Sequence, residues 1–164
     1  MATDLVRGAY SGKETFLYYN SGTHAAPVWV ECPRVRNVSV EDGPALADVE
    51  FHGSPNTSQI PGYKAFSGSL EYVRSKATDE VYAALKTASE NGDIVELMQL
   101  NAPYMIDDAI NPLAIGWTAP CIFGGFSETA NGGDAVVASV PFSLADAYDA
   151  SGNQIAREPY PLPA

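Results

Sequence analysis

At 164 residues, with 46% apolar residues, 18% charged residues, fourteen Gly and twelve Pro, the chain has the size of one turn-rich domain with a real core, which excludes global disorder. Twenty Asp and Glu against nine Lys and Arg leave a net charge of −11, and this disfavours a grip on nucleic acid, because duplex affinity comes largely from Lys and Arg on phosphates. No apolar run approaches the roughly 18–20 residues that cross a bilayer, and MATDLVRGAY lacks a hydrophobic signal core, so no membrane partner is expected.

In chain order, residues 1–14 show no sustained periodicity and read as an arm. Residues 15–19 are a short β-prone run closed by Asn20, Ser21 and Gly22. A longer strand pattern over 28–41 mixes β-branched and polar residues until Asp42, Gly43 and Pro44 break it. A second β-prone stretch covers 46–51. Residues 53–62 then read as a loop, too long for a tight hairpin turn.

From Phe66 the period is two: Phe66, Leu70 and Tyr72 share one face, Ser67, Ser69 and Glu71 the other. The period then becomes helical. Val81, Ala84, Leu85 and Ala88 fall at i, i+3, i+4 and i+7, which predicts one helix over about 78–91 with Thr78 as N-cap and Asn91-Gly92 as the stop.

Residues 94–100 return to strand composition, and 101–112 are irregular. Residues 113–126 predict a strand bent at Gly116, Pro120 and Gly124-Gly125. After a turn at 131–134, alternation over 136–144 predicts a final long strand, which Pro141 should make an edge or a bulged strand. Residues 150–164 form a proline-rich tail. The fold class is mainly β: an antiparallel barrel or sandwich with one flanking helix.

Residues that could carry chemistry are sparse. His24 and His52 have no second His at ligand spacing, so no metal site is expected. The elbow Gly-x-Ser-x-Gly, the Walker loop and Gly-x-Gly-x-x-Gly are all missing, and nothing selects a catalytic pair among twenty acids. Asp107-Asp108 lacks the pattern of a calcium loop and reads as solvated. Cys32 and Cys121 read as reduced thiols, with a single disulfide between them left open. No enzyme activity, catalytic residue or cofactor is expected. The aromatics Tyr18, Tyr19, Trp29, Tyr63, Tyr72, Tyr82, Tyr104, Trp117 and Tyr148 suit core packing better than a sugar-binding face. Between Lys86 and Arg157 lie nine Asp or Glu and no Lys or Arg, either a solvated face or a surface kept negative.

An ordered set of segments runs from Leu17-Tyr18-Tyr19-Asn20 through Pro27-Val28-Trp29 to residues 35–40 and Ala47-Asp48-Val49. It continues with Tyr63-Lys64-Ala65, residues 68–73 leading into 79–85, Ile94-Val95-Glu96-Leu97, residues 123–127 and 138–142. Over about 15–145 this order resembles the major tail tube proteins of long-tailed bacteriophages, whose barrel relatives form the inner tubes of contractile tails and type VI secretion systems. The proline-rich tail and Pro120 depart from that pattern.

The resemblance implies one tail-tube-like domain over 1–164, with arm 1–14 and tail 150–164, that assembles with copies of itself into stacked, hexameric rings in a virion or prophage tail. It implies assembly in the host cytoplasm, other phage tail proteins as partners, and passage of DNA without tight binding along an acidic lumen. Segment 42–62, the arm and the tail are expected to bridge rings, with Asp42, Pro44, Pro55, Ile60 and Tyr63 as assembly residues. The competing readings are a carbohydrate- or protein-binding β-sandwich and a tail completion or adaptor protein.

Overall fold

The computed structural model describes residues 15–50, 57–130, 132–133 and 135–161, without the side chains of 45–47, 49–50 and 57–64. The expected arm, and with it His52 and Pro55, lies outside the described residues. The strands are β1 (Phe16–Asn20), β2 (Trp29–Glu31), β3 (Val35–Glu50) and β4 (Thr57–Val73); helix α1 (Glu80–Asn91) follows. Then come β5 (Ile94–Leu100), β6 (Met105–Ile106), β7 (Ala109–Ile110), β8 (Gly116–Phe123), β9 (Ser127–Thr129) and β10 (Val137–Leu144), and last β11 (Ala147–Tyr148), β12 (Gln154–Ile155) and β13 (Glu158–Tyr160). Nine strands form one antiparallel sheet in the order β2-β1-β5-β8-β10-β4-β3, with β13 beside β8 and β9 beside β10. The sheet is open, and its two ends are consecutive in sequence, joined through residues 32–34. The fold is thus mainly β with one helix, as the periodicities indicate.

Three sequence expectations need correction at the β3–β4 hairpin. The 28–41 pattern is two strands, because the chain turns at Cys32, where Val35 donates to the Cys32 carbonyl. Asp42, Gly43 and Pro44 do not end β3; the strand absorbs them through a register shift between Pro44 and Leu46. Residues 57–62 are not loop but the first part of β4, paired from Glu50↔Thr57 to Leu46↔Pro61. Composition misleads here because a two-stranded ribbon outside a core needs no apolar alternation.

The helix begins one turn-residue later than expected. Asp79, not Thr78, is the N-cap: its backbone is extended and Oδ1 accepts from the Tyr82 amide at 3.1 Å. Gly92 closes the helix in the left-handed region, φ 71, where its amide reaches the Ala88 and Ser89 carbonyls. Both Asp79 oxygens also accept from the Tyr72 hydroxyl at 2.9 Å, and Tyr72 is fully buried. Asp79→Ala therefore removes a cap and strands a buried hydroxyl, and is expected to cost about 2–3 kcal/mol in urea denaturation. Asp79→Asn, which keeps a capping oxygen, should cost less than half as much.

The two faces of the sheet bury separate clusters, because successive side chains point oppositely. On one face Leu17, Leu70, Leu97, Ala119, Cys121 and Val140 pack with Tyr82, Leu85 and Ala88 of α1. Each fully buried aliphatic side chain contributes about 1.5–3 kcal/mol of transfer free energy. On the other face Tyr18, Met98 and Leu100 are covered by Tyr104, Ala114 and Tyr160. The irregular stretch after β5 is thus a cover for the sheet, carrying the small hairpin β6–β7, with Asp107 and Asp108 at its tip in the left-handed region (φ 49 and 62).

β8 is shorter than expected, since 113–115 belong to that cover and Gly124-Gly125 lie past its end. β10 is interior and in unbroken register with β4, where an edge or a bulged strand was expected: Pro141 faces Ser69 of β4, and on its other side β9 stops at Ser139 and β8 starts at Phe142. The ring of Pro141 sits where a Cβ on Gly124 would fall, 2.7 Å away, and the Gly124 amide donates to the Pro141 carbonyl at 2.7 Å. The missing proline amide thus faces a break between two neighbours. Within the proline-rich tail, β12 pairs β11, and β13 adds to β8 despite Pro159.

Candidate assembly surface

β10 pairs β4 only from Ser67 to Val73. Beyond that point β3 and β4 continue together to Glu50↔Thr57 as a two-stranded ribbon, with no third described strand on either side. An isolated two-stranded ribbon is marginal in water, and unpaired strand edges are templates for another chain.

Four of the five expected assembly residues fall on this ribbon. Asp42 lies at its base opposite Phe66, and Pro44 faces Lys64 beside the register shift. Tyr63 is in the stretch of β4 where that shift occurs, and Ile60 pairs with Ala47 farther out. Pro55 lies outside the described residues.

Arg157 anchors the base and is invisible to sequence reasoning, since its partner is far away in the chain. Its Nη1 is 2.7 Å from Asp42 Oδ2, and its guanidinium stands 5.3 Å from the Phe66 ring centroid. Phe66 packs edge-on against Trp117 with centroids 5.0 Å apart. The C-terminal segment thereby clamps the ribbon to the sheet.

The charge pattern is specific. Each described arginine is paired with a carboxylate: Arg34 with Asp79 at 3.6 Å, Arg36 with Glu71 at 2.9 Å, Arg74 with Glu128 at 3.2 Å, and Arg157 with Asp42. A hydrogen bond from Tyr82, with Arg74 nearby, holds the Glu128 carboxyl below the usual range. Hydrogen bonds from Arg36 and Asn37 do the same for Glu71. Of the acids between Lys86 and Arg157, Glu96 is engaged by Asn20 at 2.8 Å and His24 at 2.5 Å, and Asp149 by its own turn through Asn153. Glu90, Asp93, Asp107, Asp108 and Asp146 are exposed.

His24 therefore serves the β1–β2 turn. In that turn Asn20 Oδ1 also accepts from the Gly22 and Val28 amides at 2.8 and 2.9 Å. Cys32 and Cys121 are free and buried, and burial pushes both thiols up to about 12, so neither is a reactive thiolate at neutral pH. Most of the aromatics pack in the two clusters; Tyr148 is exposed. Among the described residues no three His, Cys, Asp or Glu converge as a metal-binding group, and no helix is long and apolar enough to cross a membrane.

No protein-family model and no curated sequence matches the chain. Solved structures share its fold at low identity. The SPP1 tail tube superposes with a TM-score of 0.63 at 15% identity, covering 83% of this chain and 76% of that one. The tail of an empty gene transfer agent (GTA) particle, refined helically with C6 symmetry, gives 0.61 at 11% identity over 90% of this chain and 98% of that one. A chain of the PVC sheath–tube complex, from an extracellular contractile injection system in its extended state, gives 0.55 at 10% identity and 93% coverage of both. The fold is that of tail tube proteins.

Proposed function

We propose that this chain is a structural tail tube subunit, packing with copies of itself into rings that stack into a hollow conduit, and performing no bond-making of its own. The β3–β4 ribbon carries this reading, because a ribbon of that length with no third described strand beside it gains its stability from a neighbouring copy. The shared fold supports it, as does the C6 symmetry of the similar GTA tail for a six-membered ring. A head-to-tail contact that closes after six copies gives such a ring.

The bore of the tube is acidic in this proposal, and DNA passes without being held. Retention of a polyanion grows with each phosphate–cation contact. A chain of net charge −11 whose described arginines already face carboxylates offers few such contacts. The subunit works in a particle's tail, beside other tail proteins.

Negative-stain electron microscopy of the concentrated protein tests the reading. Rings or tubes of uniform diameter are expected. A strict monomer that binds a glycan would replace the proposal with a binding module, and single rings that never stack would make it an adaptor.

A further inference from the structure

The β3–β4–β10 part of the sheet has one dry face and one wet face. Val38, Val40, Leu70, Tyr72, Val140 and Phe142 point into the core under α1. The alternate residues share the opposite face, because cross-strand partners point the same way. There Glu71 lies between Asn37 and Ser139, and Ser67 between Glu41 and Ser143, with Ser69 in the middle. All six are exposed or half-buried, and none is Lys or Arg. The polar field ends at β10, since Ile122 across from Ser143 is exposed and apolar.

Arg36 is the described cation that reaches this field. It enters at the register irregularity between Val35 and Asn37. Glu71 Oε2 accepts from its Nε at 2.9 Å and from Asn37 Nδ2 at 2.5 Å, so one carboxylate holds the guanidinium from the neighbouring strand. The lysines whose side chains are described belong to the helix side. Lys86 is on α1, which packs against the dry face, and Lys76 lies in the segment leading into α1.

We propose that this hydroxyl-rich face is the wall of the bore, and that Glu71 keeps it from gripping a passing polyanion by holding Arg36. The inference rests on the tube reading and assigns one surface and one residue within it. Composition argues against a subunit contact here, because Ser, Glu and Asp are depleted in interfaces. Charge then separates the two sides of the subunit. Each lysine turned into a bore would add a phosphate contact, whereas serine hydroxyls offer only neutral hydrogen bonds, about half as strong as charge-assisted ones. The helix side carries the lysines, so the serine side faces the polyanion. The same strands β3 and β4 run on as the ribbon, which puts the field in line with the contact between successive rings.

Ser69→Cys tests the placement. The native thiols are buried and inert, so the new sulfur is the reactive one. Free subunits should react with both N-ethylmaleimide and a large polyethylene glycol maleimide. Assembled tubes should still react fully with the small reagent and lose nearly all reaction with the large one, which cannot enter the bore. Tubes that react with both would put this face outside, and tubes that react with neither would put it in a subunit contact; either overturns the wall. Glu71→Gln tests the residue by co-sedimentation of tubes with a short DNA duplex. Wild-type tubes should carry down no DNA. Glu71→Gln tubes should retain it, with a salt slope steeper by about 0.9 for each copy in contact. Adding Arg36→Gln should abolish that retention. Retention no greater than wild type would overturn the role of Glu71. Absence of tubes from the wild-type protein would overturn the tube reading and this wall with it.

Discussion

Joining Pro44 to Lys64 through an Asn-Gly turn, in place of residues 45–63, is expected to abolish tubes while leaving a folded chain. Pro44 and Lys64 are opposed in the register, so a two-residue turn closes the shortened hairpin without forcing a new pairing. Among the described side chains no buried core residue is deleted: the β3 contribution to the core ends at Val40, and that of β4 begins at Phe66. The Asp42–Arg157 pair at the base also remains. The melting temperature should therefore move by less than about 4 °C, the equivalent of about 1 kcal/mol for a chain of this size. Assembly should be lost, because the excised ribbon supplies the edges that seek a partner. Electron microscopy and sedimentation of the excised variant beside wild type would read both properties. Normal tubes would remove the ribbon from the assembly; a variant that precipitates unfolded would show the ribbon to be part of the core.

Gly116→Ala is expected to produce the largest loss of stability from a single methyl group. A Cβ at this position would lie 1.7 Å from the Gln99 carbonyl oxygen and 2.8 Å from its carbon, within the facing strand β5. The obstacle is paired backbone, not the free end of a side chain, so relief requires separating β5 from β8 at their Leu100↔Gly116 end. That same end carries Leu100 and the cover over it. The cost should be about 3 kcal/mol in urea denaturation, near the upper limit for overpacking, and the melting temperature should fall by about 6–12 °C. Gly43→Ala is the control. Nothing lies within 4 Å of its Cβ position, and its stability should stay within about 1 kcal/mol of wild type. Equal behaviour of the two variants would mean that β5 and β8 do not meet in this register.

The parts of the fold that could be read along the chain are those where one residue's neighbours in sequence are also its partners. Strand 94–100 and the strand at 137–144 stand where their composition and alternation place them, and the helix stripe Leu85 and Ala88 faces the core as its 3.6 period requires. The misreadings share a cause. The N-cap shifted to Asp79 because Tyr72, a strand residue, holds the same carboxylate. β10 became interior because Gly124, seventeen positions earlier, leaves room for the ring of Pro141. Asp42, Pro44, Ile60 and Tyr63 were expected to serve assembly on the resemblance, the first three as members of a loop, and all four fall on the ribbon; the exposed aliphatic residues at 105–115 gave no signal, because Met, Ile and Leu in an irregular stretch look like core.

Composition and periodicity determined that this is an acidic, mainly β chain with one helix, since charge, period and residue spacing are properties of the string itself. Only the tertiary structure decided that residues 42–50 and 57–62 continue past the sheet as a ribbon, that the described arginines spend their charge on carboxylates, and that five aliphatic side chains after β5 face water. Strand partners, ion pairs and exposure depend on residues brought together across tens of positions, and a local pattern carries no term for that distance.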